Sequence, residues 1–349
     1  MWTLPLNNQL TTHPAYDDSH AFIALDSNVM VGYDLWSGVR LWTVPAEPVS
    51  QPTAGGGLVF WVERTALVAR RAADGAAVWR LPYTETLAAP PVWDNGWLIL
   101  ATPKGSILAY RATDGHLVWR RELGSPAHAS PALAADRVYV PLTDGRVVAL
   151  SVETGAPVWE RRLGGTPNDL VALQQRLYVG SKDNFLYCLM TDDGRVDWRW
   201  PTGGDIVGMP IVDEHRVYFA SLDNVLRALD LKSGTQQWMR ALPLRPAWGP
   251  VKAGETIVVG GQLATLKLFK VEDGTVAGDV PAGADVAAPP FATVDPANGL
   301  PTLFVLTADI AKGATARSFA RNIEPVIAPI APLPNLITMT PTPTVAAPR

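Results

Sequence analysis

The sequence holds one cysteine in 349 residues, Cys188, so no disulfide can form within the chain. It lacks a charge bias: 29 basic and 33 acidic residues give a net charge of −4, without long runs of one sign. Nucleic acid and anionic membrane surfaces call for clustered Lys and Arg, so neither is an expected partner. No apolar run reaches the roughly 18 residues that cross a bilayer. No basic stretch leading into an apolar one opens the chain as a secretory signal would. Capped segments of helical periodicity are missing, as are Cys-x-x-Cys, His-Glu-x-x-His, Gly-x-Ser-x-Gly, phosphate-loop and EF-hand patterns. The histidines (His13, His20, His116, His128, His215) share no ligand spacing. These absences leave no metal site, cofactor or catalytic residue to nominate.

What is present is a beat. Trp42, Trp79, Trp119, Trp159, Trp198 and Trp238 follow one another at nearly equal intervals. Each stands four positions after a glycine: Gly38, Gly75, Gly115, Gly155, Gly194 and Gly234. Gly274 continues the series, but Gly278 occupies the next tryptophan position. Self-similarity at a fixed period of roughly 40 residues marks a repeat architecture.

One unit reads as four short strands. Ser130-Pro131-Ala132-Leu133 precedes the turn at Ala135-Asp136, and Arg137–Leu142 is rich in β-branched and aromatic residues. Thr143-Asp144-Gly145 turns into Arg146–Leu150, and Glu153-Thr154-Gly155 turns into Pro157–Arg161. Four antiparallel strands per repeat make a propeller blade. Cys188 takes a position that is alanine at Ala69, Ala109, Ala149 and Ala228, so it reads as a small core residue.

Proline opens the first strand at Pro14, Pro52, Pro91, Pro131, Pro210, Pro250 and Pro290, mostly at one fixed distance after a tryptophan position. At that same distance before Pro14 stands Trp2, and Trp2-Thr3-Leu4-Pro5 matches Trp42-Thr43-Val44-Pro45. Residues 1–6 therefore read as a fourth strand lacking its first three. Residues 290–293, 302–306 and 314–318 read as three strands lacking their fourth. Together they complete an eighth blade and close the ring. Trp2, Trp42, Trp79, Trp119, Trp159, Trp198 and Trp238 are expected to be structural, joining neighbouring sheets, with the anchor missing at Gly278.

Candidate binding residues are those that break the repeat where one blade passes to the next inner strand, around the channel mouth. His13, Gln51, His128, Asn168, Asp169, Asp205, Met209, Arg245 and Trp248 fall there. Asn168-Asp169 replaces a Ser-Pro-like step and Trp248 is off the tryptophan register. The expected binding set is His128, Asn168, Asp169, Asp205, Arg245 and Trp248. Gly55-Gly56-Gly57 and Asp192-Asp193-Gly194 fall on repeat turns and are read as turns.

Inner-strand proline, Val138-Tyr139-Val140, Ala149-Leu150 and the recurring Gly-x-x-x-Trp resemble the pyrroloquinoline-quinone-type propeller repeat, over residues 1–323. Families with this repeat include quinoprotein alcohol dehydrogenases and BamB-type subunits of the outer-membrane β-barrel assembly machinery. The chain is similar in size to the BamB type, whereas the dehydrogenases are much longer. The dehydrogenase resemblance implies a quinone over a vicinal disulfide with calcium beside it, and a single cysteine excludes that disulfide. The BamB-type resemblance implies a scaffold, lipid-anchored in that family through an N-terminal cysteine; Met1-Trp2 stands here instead.

The expected fold is all-β: an eight-bladed β-propeller of four-stranded antiparallel blades over residues 1–323, closed by its N-terminal strand. Residues 324–349 carry Pro325, Pro329, Pro332, Pro334, Pro341, Pro343 and Pro348 and are expected to form a Pro/Thr-rich extended tail. The expected function is a non-enzymatic, monomeric scaffold without cofactor. It binds a protein partner outside the cytoplasm, in the periplasm or at the cell surface, and meets a membrane only through that partner. The alternatives are a ligand-binding or sensor module at the channel mouth, and behind it a quinone-dependent oxidoreductase.

Overall fold

The beat glycines Gly38, Gly75, Gly115, Gly155, Gly194, Gly234 and Gly274 all have φ between 66° and 71°. A side chain is strained in that left-handed conformation, so glycine sets the tight turn between the third and fourth strands of each unit. β-branched and aromatic residues fill the strands on either side. In the computed structural model, which describes residues 1–261 and 263–320, these units form eight antiparallel sheets and no helix among the described residues. The expected tail at 324–349 lies outside the described residues.

Blades 1 to 7 span residues 15–45, 53–82, 92–122, 132–162, 167–201, 206–241 and 251–281, each a four-stranded meander. Blade 8 is assembled from both ends of the chain, as the sequence predicts. Its strand Gly313–Ala320 pairs with Thr3–Pro5 through Thr3↔Arg317, Leu4↔Ala316 and Pro5↔Thr315. The second and third strands carry the core: residues such as Phe60, Tyr139, Tyr178, Tyr218 and Phe219 are fully buried between blades. The fourth strands are mostly exposed apart from their tryptophans.

The tryptophans join blade to blade. Each indole lies against the turn glycine of the following blade: Trp2 on Gly38, Trp42 on Gly75, Trp119 on Gly155, Trp238 on Gly274. Its Nε1 donates to a backbone carbonyl three positions before that glycine. Trp42 reaches Ala72 O at 2.7 Å, Trp79 reaches Ala112 O at 2.9 Å and Trp159 reaches Thr191 O at 2.8 Å. Trp198 departs from the pattern. Leu231 O, its counterpart acceptor, takes the Tyr178 hydroxyl at 2.8 Å, and Trp198 Nε1 has no partner. Cys188 is fully buried opposite Trp198, and burial pushes its thiol up to about 12, which makes it a packing residue with little thiolate character.

Candidate functional site

The residues just before each inner strand gather at one end of the ring and wall a funnel of about 1150 Å³. The repeated proline recurs around the wall, at Pro14, Pro52, Pro91, Pro250 and Pro290. Proline offers no backbone N–H, so this part of the rim is apolar and rigid. The wall is irregular at blades 5 and 6. Inner strands elsewhere hold two to four residues, but Pro167–Leu173 and Ile206–Val212 hold seven each. Both reach further toward the mouth, pairing Pro167↔Ser181 and Ile206↔Ser221, and both carry a register shift. The bulge in blade 5 falls on Asn168-Asp169, where the inner-strand proline is missing; that in blade 6 falls on Gly208-Met209 and is permitted by Gly208 at φ 63°.

Of the predicted set, His128, Asn168, Asp169, Asp205 and Trp248 line this funnel together. Asn168 Nδ2 donates to Ile206 O at 3.0 Å and so ties the two long strands to each other. Asp169 and His128 both line the funnel, at the junction of blades 4 and 5, within electrostatic reach of each other. Burial raises the Asp169 carboxyl above its ordinary value, and His128 partly offsets that. Burial lowers His128, assisted by Lys182, with Asp169 opposing. Lys182 is a neighbour the sequence reading did not single out; nothing in its spacing marks it.

Two placements differ from expectation. Arg245 is exposed and is not part of the funnel wall. Trp248 is only 9% exposed: it belongs to the core between blades 7 and 8, with its ring over Gly260, and presents little surface to the mouth. An off-register tryptophan can mean an exposed contact or an extra core anchor, and the absence of a Cβ at Gly260 opens the space that decides for the core. Tyr16 and Phe291, stacked at 4.6 Å and 3° on the funnel wall, were also missed.

Asp169 has a consequence for stability. Its folded-state value lies above the unfolded one, so ionisation opposes folding. That penalty is absent below the unfolded value and grows as pH rises through the folded one. Asp169→Asn is therefore expected to raise Tm by a few degrees at pH 7, with the gain vanishing near pH 3.5. Thermal scans at both pH values check it; a gain larger at the lower pH contradicts the assignment.

The donor set does not suit a quinone with calcium. Cys188 is buried within blade 5, far in register from the rim, and cannot form a vicinal disulfide beneath a cofactor. Among the described residues no three His, Cys, Asp or Glu side chains converge as metal ligands do.

The profile of the family described as outer membrane protein assembly factor BamB matches residues 1–84, 31–174 and 163–290. The outer membrane protein assembly factor BamB of Yersinia pestis is 28% identical over 110 residues, covering 30% of this chain and 28% of that protein. The chain thus matches little more than a quarter of that relative's length. Among solved structures, BamB from Moraxella catarrhalis superposes with a TM-score of 0.70 at 23% identity, covering 91% of this chain and 98% of that one. Quinohemoprotein alcohol dehydrogenase from Comamonas testosteroni gives 0.72 at 15% identity, covering 91% of this chain and 76% of its own. At those identities the structures speak for the fold alone.

Proposed function

Since the chain belongs to the outer membrane protein assembly factor BamB family, we propose that it is a non-enzymatic scaffold outside the cytoplasm, holding a protein partner at the funnel face. One observation carries this reading: the rim is uniform except at blades 5 and 6, where Asn168, Asp169, Asp205 and Met209 stand together. Met209 is 51% exposed beside them, so the irregular sector offers an apolar contact next to polar ones. Interface energy concentrates in a few such residues. A protein partner is favoured over a small substrate because the funnel is wide and open, with repeated proline and alanine around its wall.

The test is co-purification from membranes of cells producing a tagged chain, comparing the parent with Asp169→Ala/Asp205→Ala/Met209→Ala. Trp248 is left intact because emptying its core position would confound binding with unfolding. The expected result is at least a tenfold loss of the co-purifying chain with Tm unchanged within about 3 °C. Full retention of that chain by the triple variant overturns the assignment. A small ligand held by the Asp169–His128 pair is the second reading, favoured by their mutual influence inside the funnel. It would appear as saturable binding by the isolated protein that Asp169→Asn weakens.

A further inference from the structure

The funnel does not end at its rim. His13 and Gln51, on the connections into blades 1 and 2, line both the funnel and a second cavity of about 650 Å³. That cavity lies over the junction of blades 8 and 1, between residues 9–12 and the short strand Asp285–Val286. The two form one bent path, from the irregular sector at blades 5 and 6 across to blade 8. The path is acidic. Asp169 and Asp205 line the funnel and Asp285 lines the side cavity, while Lys252 is the one lysine or arginine on either wall among the described residues. Asp169 and Asp205 stand on adjoining blades, where their chain neighbours Asn168 and Ile206 are joined at 3.0 Å. Among the described residues, other aspartates on this face are held in ion pairs, Asp144 with Arg146 at 2.8 Å and Asp223 with Arg227 at 2.6 Å. Asp169, Asp205 and Asp285 have no such partner among them.

We infer that the partner presents an extended, basic segment to this path: its Lys or Arg side chains meet Asp169 and Asp205, and its backbone continues past His13 and Gln51 toward Asp285. This rests on the funnel being the partner site. Charge sets the sign of the segment. Inside a concave wall a carboxylate is less screened than on open surface, so it favours a cation more strongly and rejects a like charge. The stem of a Lys or Arg side chain is apolar, and Met209 and the rim prolines offer it surface. Shape sets the conformation. A rounded folded surface can cover the funnel mouth but cannot follow the bend into the second cavity. A single extended chain can, with its side chains alternating between two faces. The side cavity also suits main chain. Gln9 and Gln51 spend their amide nitrogens inside the protein, on Asp309 O at 2.9 Å and Pro14 O at 3.3 Å. That leaves their side-chain carbonyl oxygens for backbone N–H groups of the segment, which an extended chain must pair somewhere.

Fluorescence anisotropy of the full-length chain with three labelled peptides of equal length tests it. One alternates Val with Lys, one Val with Glu and one Val with Ser. The Lys peptide should bind at least tenfold more tightly than either of the others. Asp169→Asn/Asp205→Asn should weaken it at least tenfold. Asp74→Asn/Asp114→Asn removes the same charge from turns at the opposite end of the ring and should change it less than twofold. Thr11→Trp, at an exposed position on the side cavity, should weaken it at least fivefold by blocking the path. Equal affinity for the three peptides, full binding by the funnel variant, equal losses in the two double variants, or full binding by Thr11→Trp each overturns the inference. If Asp169→Ala/Asp205→Ala/Met209→Ala sheds its co-purifying chain while the Lys peptide binds no better than the Glu peptide, the funnel remains the partner site and the basic, extended segment alone is wrong.

Discussion

Deleting residues 1–6 is expected to lower Tm by more than about 10 °C and to leave a protein that associates through its sheet edges. The segment supplies the fourth strand of blade 8 and the junction to blade 1 at once. Trp2 O accepts from Ser318 N at 3.0 Å, Leu6 N donates to Ala314 O at 2.9 Å, and Trp2 Nε1 donates to Leu35 O at 3.1 Å. Leu6 is 6% exposed, and Trp2 and Leu4 pack on the same cluster of Ile23, Tyr33, Phe304 and Leu306. Losing three large apolar side chains at roughly 1.5–3 kcal/mol each removes a large share of a typical folding free energy of about 5–15 kcal/mol. It also bares the edge of Gly313–Ala320, a template for pairing with another chain. A peptide of residues 1–8 added in trans should recover part of the lost Tm, because it restores the same strand. A truncated protein that melts where the parent does would show that the ring does not depend on this closure.

The second large effect lies at the tryptophan socket. A Cβ on Gly155 would stand 2.6 Å from ring carbons of Trp119, well inside the roughly 3.5–4.0 Å of a normal contact. Gly57 has a similar positive φ of 77° but open space around it. Gly57→Ala should therefore report backbone strain alone, of about 1–2 kcal/mol. Gly155→Ala should add the cost of displacing a nearly buried indole, whose complete loss in Trp119→Ala is worth on the order of 3–5 kcal/mol. The excess should disappear when Gly155→Ala is made in the Trp119→Ala background, since no ring is left to displace. Chemical denaturation of the four variants measures it. Additive losses would mean that glycine and indole do not share one site.

These two predictions differ in how visible they were along the chain. The closing strand could be read directly, because Trp2-Thr3-Leu4-Pro5 repeats Trp42-Thr43-Val44-Pro45 and keeps its distance to the next inner-strand proline. The pairing of Gly155 with Trp119 could not. The spacing suggests that Gly155 serves the tryptophan four positions later, Trp159, whereas it receives the tryptophan of the preceding blade. A similar limit applies at the funnel. Asn168-Asp169 was conspicuous as a broken repeat, but the nearness of Asp169 to the charge of His128 and the burial of Trp248 over Gly260 were not.

By itself the sequence determined the blade count, the strand order within each blade, the turn positions and the closing segment. All of these depend on pairings between neighbours within one repeat, or on the phase of one repeat against the next, and a regular period along the chain records both. Only the tertiary structure decided which groups come together between blades and across the mouth: each indole with the next blade's glycine, Asp169 within the electrostatic reach of His128, and Trp248 with the core. Those contacts follow from bending the array into a closed ring, which fixes distances between residues that no spacing along the chain relates.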